Sequence, residues 1–415
     1  MTDTIKQAKR KARNMGIAYL VFALAIGLLF LRGTPAGELT TFTLNVTRGD
    51  LTALPDVVFP TRTGLFVLMA VTAILGVWQL VKGFKRVNLV LGIVVGVFIL
   101  AFLSWAARGK SMNLTGMIQS TLLRAVPITL AALSGLMCER SGVINIGIEG
   151  MMLSGAFISA LVGSVAGSQW WGLIAALLAG GLSGALLAVL AIRYKVDQII
   201  AGTALTILAT GLTSYFSSRY LQHNTALNSP PTFQSLPIPL LSKIHIFGPT
   251  LFSNSLLVYL TLVLVVVISV MLFHTRWGLR TRAVGEHPRA ADTLGVNVFK
   301  IRYINVILGG VIAGLGGAYL VLGSVARFDE LMTAGKGYIG LAAMIFGNWN
   351  PVGALGASLI FGFADSLQTK LAILQVPIPS QFLLMAPYLA TMIVLAGVVG
   401  QSRPPAADGQ PYEKE

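Results

Sequence analysis

The sequence predicts an all-α, polytopic helical membrane protein with about 10–12 transmembrane segments, some of them interrupted. Three observations carry this. Of the 415 residues, 55% are hydrophobic and 11% charged, against about 25% charged in soluble domains; mean hydropathy is +0.78. The apolar runs are about 17–25 residues long, unlike the alternating segments of about ten residues in a barrel. Finally, Asn145 and Glu149 stand in a stretch otherwise apolar as far as Gly167, among glycines at 142, 147 and 150. A charge at membrane depth is expensive and faces a cavity or a partner. Interrupted helices persist there only when buried in protein or lining a watery path, and transporters use them to present helix ends to a solute.

In order along the chain, residues 1–14 read as a basic tail (Lys6, Lys9, Arg10, Lys11, Arg13), followed by spans near 15–31, 64–81 and 87–107. The first span reads as a retained anchor, because no small-residue cleavage site follows it. Spans continue near 114–138, 143–167, 170–192 and 198–216, then near 254–273, 301–325, 338–348, 352–370 and 380–400. The piece 338–348 is too short for an upright span and reads as a half-helix. Basic links at 82–86 and 193–195 and the strongly basic loop 274–302 should be cytoplasmic, which puts both termini inside. The loops 32–63 and 217–253, poor in cations, should face outward. The polar tail 401–415 reads as mobile. Three parts result: 1–110 with the extra helices, a core over 111–400, and the tail.

The net charge of +15 fits cytoplasmic loops better than nucleic-acid binding. Cys138 is the single cysteine, so no intrachain disulfide forms. Small residues recur four apart at Gly163/Gly167, Gly180/Gly184, Gly310/Gly314 and Gly353/Ala357, a spacing that permits close helix approach in lipid. A weak internal echo relates Glu149-Gly150-Met151-Met152 to Lys336-Gly337-Tyr338-Ile339, as repeated halves around a central site would.

No catalytic set is evident, and the histidines at 223, 245, 274 and 287 lack metal-ligand spacing. Gly109-Lys110-Ser111 ends like a phosphate-binding loop, but Ser104 stands where its first glycine belongs, and a membrane span precedes it. ATP-driven function therefore needs a separate ATPase. In the basic loop, Pro288 suits the first turn of a short helix and Gly295 its end. Such a helix is either an ordinary loop helix or a docking element for a cytoplasmic partner.

Three stretches, Arg140–Met152, Arg282–Val296 and Gly337–Pro351, with Asp197–Ala204 between the first two, together closely resemble bacterial ABC importer permeases of the branched-chain amino acid/ribose superfamily. Within it they look most like permeases for nucleosides or simple sugars. The resemblance covers roughly 113–400; residues 1–110 depart from the shorter members.

It implies a permease subunit in the bacterial inner membrane, not itself an enzyme, with no cofactor of its own. ATP and magnesium would sit on a partner ATPase. A second permease subunit, making a heterodimer, and an extracytoplasmic substrate-binding protein complete the assembly. The coupling helix maps onto Glu286, His287, Pro288, Arg289, Ala290, Ala291 and Gly295. The substrate pathway maps onto Asn145, Glu149, Met152, Tyr338 and Trp349. For Glu149 two roles stay open, tying helices together and touching solute; for Asp365 a buried salt bridge is the plainer reading. The rival class is an autonomous secondary transporter or channel for a small polar solute, which predicts paired buried carboxylates and no docking helix. A membrane-integral enzyme would need a clustered nucleophile, metal set or acid–base pair.

Overall fold

The computed structural model describes residues 2–45, 54–376, 382, 385 and 403–414. The span expected over 380–400 lies outside the described residues apart from two isolated positions. The chain divides into two compact units, residues 1–117 with 369–380, and residues 118–368 with 381–415.

The first unit carries α1 (Thr2–Ala25), α2 (Thr61–Val81) and α3 (Val87–Ala106). The basic segment expected as a tail is already helical from Thr2, and α1 runs on through a π-type stretch to Leu31. Phe30 packs its ring against Phe98, Phe102 and Trp105. The fold is all-α as expected, with a few short strands, three of which form a small sheet here. Strand β1 (Leu39–Thr43) pairs antiparallel with β2 (Val57–Pro60) and parallel with β3 (Ser111–Asn113). Strands of three to five residues are too short for alternation to stand out in the sequence. Buried Thr40 ties the sheet to the helices, bonding the Thr61 hydroxyl at 2.8 Å and donating to the Ser104 carbonyl at 2.9 Å.

The second unit is built on α4 (Leu114–Glu139), α5 (Ile148–Ala166), α6 (Gln169–Ala188), α7 (Gln198–Phe216) and α8 (Phe247–Leu251). It continues through α9 (Leu256–His274), α10 (Arg276–Glu286), α11 (Pro288–Thr293), α12 (Val298–Leu320), α13 (Lys336–Phe346) and α14 (Pro351–Ile373). Nine helices among the described residues are long and apolar enough to cross a membrane, and α13 is a shorter apolar one. This is a multi-pass helical membrane protein. Helices α4 and α12 are the most buried, while α7 and α9 leave apolar faces exposed, as lipid-facing helices do.

The small-residue pairs explain why α6 and α12 approach so closely. A Cβ added at Gly180 would stand 2.3 Å from the Gly310 carbonyl oxygen, and one at Gly184 would stand 2.8 Å from that of Val306. Only backbones free of side chains reach this separation. Pro127 lies inside α4 and cannot donate to the carbonyl four residues back, Leu123. The buried Tyr319 hydroxyl of α12 donates to that carbonyl at 2.9 Å. Arg124 and Asp365 form an ion pair at 2.7 Å, both about two-thirds covered, which is the plainer role read for Asp365.

Two further expectations change. The span read from 143 begins as a helix only at Ile148, because residues 140–142 and 146–147 form turns on either side of an irregular 143–145. The tail read as mobile is packed over 403–414, with Ala407 and Tyr412 buried. Its polar composition hides two apolar anchors that neighbouring elements cover.

Candidate functional site

The interrupted segment is held by other helices. After α4 ends, the chain turns through Gly142 with φ +83°. The Ile144 amide then donates to the Gln198 side chain at 2.7 Å. The neighbouring Asp197 caps α7, accepting from the Ile199 and Ile200 amides at 2.9 and 3.0 Å. Thus the Asp197-Gln198 pair both starts α7 and satisfies a backbone amide of the non-helical segment. Gly147 and Gly202 meet backbone to backbone, since a Cβ on Gly202 would lie 2.8 Å from the Gly147 nitrogen. Gly150 has the same reason to be small, facing the Thr206 Cα.

Glu149, in the first turn of α5, reaches the start of α13. Its two carboxylate oxygens accept from the Gly335 amide at 2.8 Å and the Gly337 amide at 2.6 Å. These amides are unpaired donors of a helix N-terminus, where a negative charge is favourable. The carboxylate therefore ties α5 to α13, the first of the two roles read for it. Helix α13 has 11 residues, about 16 Å at 1.5 Å per residue. That length is about half the hydrocarbon thickness, so Glu149 and Trp349 stand at opposite ends of a half-helix.

At the far end of α13, Asn348 and Trp349 adopt left-handed backbone, with φ 53° and 51°. Arg140 donates from Nε and Nη2 to the Trp349 carbonyl at 2.9 and 2.7 Å. The Trp349 indole N–H donates to the Glu139 carboxylate at 2.7 Å. Burial lowers the Arg140 pKa from its ordinary value, with the Glu286 charge opposing.

Of the five pathway residues read from sequence, the structure leaves Tyr338 accessible at 44% and encloses the others. Asn145 is fully buried, its amide nitrogen directed at Cys138 Sγ and Met151 Sδ and its carbonyl oxygen without a hydrogen bond. Met152 packs beneath Gly316 and Gly317. Trp349 is occupied by Glu139 and Arg140. The grouping of Tyr338 with Trp349 around one solute is therefore not what this arrangement presents: Tyr338 lies in the first turn of α13 and Trp349 beyond its other end.

The second candidate region is the basic loop. Thr275 caps α10, accepting from the Gly278 amide at 3.1 Å, so the basic loop carries a second helix besides α11. His287 separates it from α11, which opens on Pro288 and closes before Gly295, φ +81°. Ala291 is buried with Val284, Val298, Ile301 and Tyr412, while Glu286, His287, Arg289 and Ala290 are exposed. Leu294, within the stretch expected to form the coupling helix, is 85% exposed at the tip, where a large apolar side chain marks a contact surface. Among the described residues no group of three or more His, Cys, Asp or Glu side chains is arranged to hold a metal.

The family model described as branched-chain amino acid transport system / permease component matches residues 117–399. The guanosine ABC transporter permease protein NupQ of Bacillus subtilis is 41% identical over 309 residues, 72% of this chain and 96% of that protein. The nucleoside ABC transporter permease protein NupC of Lactococcus lactis is 39% identical over 320 residues, 73% of this chain and 99% of that protein. A second guanosine permease of Bacillus subtilis, NupP, is 27% identical over 309 residues, 71% of this chain and 86% of that protein. No solved structure is a significant match. The match spans most of the chain and includes both interrupted helices and the α11 loop, and so this chain belongs to the family of branched-chain amino acid transport system permease components.

Proposed function

We propose that this chain is the permease subunit of an ATP-driven importer that carries nucleosides, with simple sugars as the next cargo class. One observation carries the reading: NupQ and NupC, named for guanosine and nucleosides, are about 40% identical over nearly their whole lengths. The geometry supports it. Two helices begin inside the bundle and are joined by a carboxylate, an arrangement suited to alternating exposure of a central site. Exposed Tyr338 opens α13 beside that joint and offers a flat ring and a hydroxyl, which suit a nucleobase and ribose.

The cycle requires partners. A cytoplasmic ATPase engages the exposed end of α10 (Glu286), His287, the exposed face of α11 (Arg289, Ala290) and the Leu294 tip, binding ATP and magnesium itself. An extracytoplasmic protein delivers solute in a bacterial inner membrane. A second permease completes the pathway as a heterodimer, an arrangement supported by the two distinct guanosine permeases NupQ and NupP of one organism. Both termini lie in the cytoplasm, on the side of the basic loops.

The test reconstitutes the complex in liposomes and offers labelled nucleosides, pentoses and branched-chain amino acids. ATP-dependent, saturable nucleoside uptake is expected. Uptake of amino acids alone overturns the substrate class. Uptake by this chain without an ATPase overturns the mechanism.

A further inference from the structure

The C-terminal segment 403–414 contacts α10, α11, α12 and the turns that follow α4 and α13. The Ala407 amide donates to the Gly285 carbonyl at 2.9 Å, and the Ala406 amide to the Glu286 carboxylate at 3.2 Å, both immediately before α11. Tyr412 packs its ring, tilted, against Phe299 at 5.4 Å between centroids and joins the apolar cluster under Ala291. Lys414 pairs with Asp292 of α11 at 3.7 Å. The buried Arg302 of α12 donates to the Gln410 carbonyl at 2.9 Å. Between the tail and α11 lies a cleft of about 670 Å³, walled by His287 and Arg289 on one side and Pro411 and Tyr412 on the other.

The same segment reaches the interrupted helices. The Arg403 amide donates to the Asn348 side chain at 3.2 Å, in the turn that ends α13. The Ala407 carbonyl lies against Gly142, where a Cβ would approach it to 3.0 Å, and Gly409 lies against Ile144. The Asp408 carboxyl stands beside that of Glu139, close enough for each to influence the other's ionisation, and Glu139 accepts from the Trp349 indole. A continuous chain of contacts thus runs from Glu286 through Ala406, Ala407, Asp408 and Glu139 to Trp349.

We propose that the tail is a transmission strap, linking the coupling helix α11 to the closing turn of the α13 half-helix through Asp408 and Glu139. The proposal rests on the reading of α11 as the ATPase-coupling helix. A displacement imposed on α11 pulls at Gly285 and Glu286, and the strap carries it to Trp349, hence to the helix whose other end Glu149 holds. Without the strap, α11 keeps its anchor at Ala291 but loses this route to α13. Asp408 acts here as a positioning residue.

The experiment uses the reconstituted complex with its ATPase and compares Asp408→Ala, Asp408→Asn, Tyr412→Ala and a chain ending at 402. ATPase recovery, basal hydrolysis and nucleoside transported per ATP are read separately. Asp408→Ala should leave the ATPase bound and basal hydrolysis within about twofold, while transport per ATP falls about tenfold, within the range of a coupling energy. Asp408→Asn, which keeps a polar side chain of the same shape beside Glu139, should restore it. Transport per ATP unchanged in both Asp408→Ala and Tyr412→Ala overturns the strap. Ala290→Trp on α11 is the reference: if it has no effect, the coupling-helix reading fails; if it uncouples while the tail variants do not, only the strap fails. Hydrogen exchange on the wild-type complex needs no variant. Protection of the Ala407 amide is expected with and without nucleotide, and a tail unprotected in both states overturns the proposal.

Discussion

The carboxylate of Glu149 accepts the amide of Gly337 at 2.6 Å across 188 residues of sequence. Its other oxygen accepts from Gly335 at 2.8 Å. The two bonds make Glu149 a side-chain cap for a helix other than its own. A neutral amide at this position retains one acceptor and turns an NH2 toward a second donor. Glu149→Gln should therefore lower stability by roughly 1–3 kcal/mol, the cost of a lost charged hydrogen bond and an unpaired amide. A thermal melt in detergent checks this; an unchanged midpoint would show that the joint is not stabilising.

Tyr319→Phe removes the hydroxyl that serves the Leu123 carbonyl left open by Pro127. The expected cost is about 1–2 kcal/mol, since that carbonyl becomes an unsatisfied buried acceptor. In a Pro127→Ala background the helix's own amide can take the carbonyl, and the cost of Tyr319→Phe should shrink. A double-mutant cycle on thermal midpoints reads the coupling. Additive effects would contradict the assignment.

Gly180→Ala places a methyl 2.3 Å from the Gly310 carbonyl oxygen and 2.7 Å from the Gly314 Cα. Backbone cannot yield as a flexible side chain does, so α6 and α12 must separate. We expect a loss on the order of 1–3 kcal/mol with reduced folded yield. Gly211→Ala, where no atom lies within 4 Å, is the control on another helix and should fold normally. Equal yields for the two would show that close approach of α6 and α12 is not required.

On the coupling helix, Ala290 is exposed and Ala291 is buried under Val284 and Tyr412. Ala290→Trp should leave membrane insertion intact and break the link between hydrolysis and uptake. Ala291→Trp should instead destabilise the loop by overpacking, by about 1–3 kcal/mol. Trypsin sensitivity of the basic loop separates the two effects. Intact coupling in Ala290→Trp would exclude this face as the docking surface.

The tail should also respond to pH. Burial pushes the Asp408 carboxyl up to about 6, outweighing the neighbouring Glu139 side chain, the Gly409 backbone and the Arg302 charge that act to lower it. The docked tail therefore holds this proton more tightly than a free tail does. Its contribution is complete below the ordinary carboxylate value and is lost as pH rises through about 6. Docking should weaken by about tenfold between pH 5 and pH 7, read as exchange of the Ala407 amide. Asp408→Asn should flatten this dependence, and an unaltered slope would assign it to another group.

The sequence by itself determined what is local. Length and hydropathy gave the spans, because burying twenty apolar residues in lipid depends on composition alone. Pro288 and Gly295 gave the bounds of α11, because a missing amide and a positive φ act within one turn. Four-residue spacing gave the close-packing faces of α6 and α12, since helix geometry fixes which residues share a face. What only the tertiary structure decided is pairing. No local property of Glu149 names Gly335 and Gly337 as its partners, and none ties Tyr319 to Leu123. Trp349 read as a solute-facing aromatic, yet Glu139 and Arg140 enclose it, because the chain turns there with two left-handed residues. The tail read as mobile because it is polar, and it is packed because Ala407 and Tyr412 meet surfaces more than a hundred residues away. A hydrogen bond or a packed ring is worth its energy only when the fold brings the second group within reach, and that distance is a property of the whole chain.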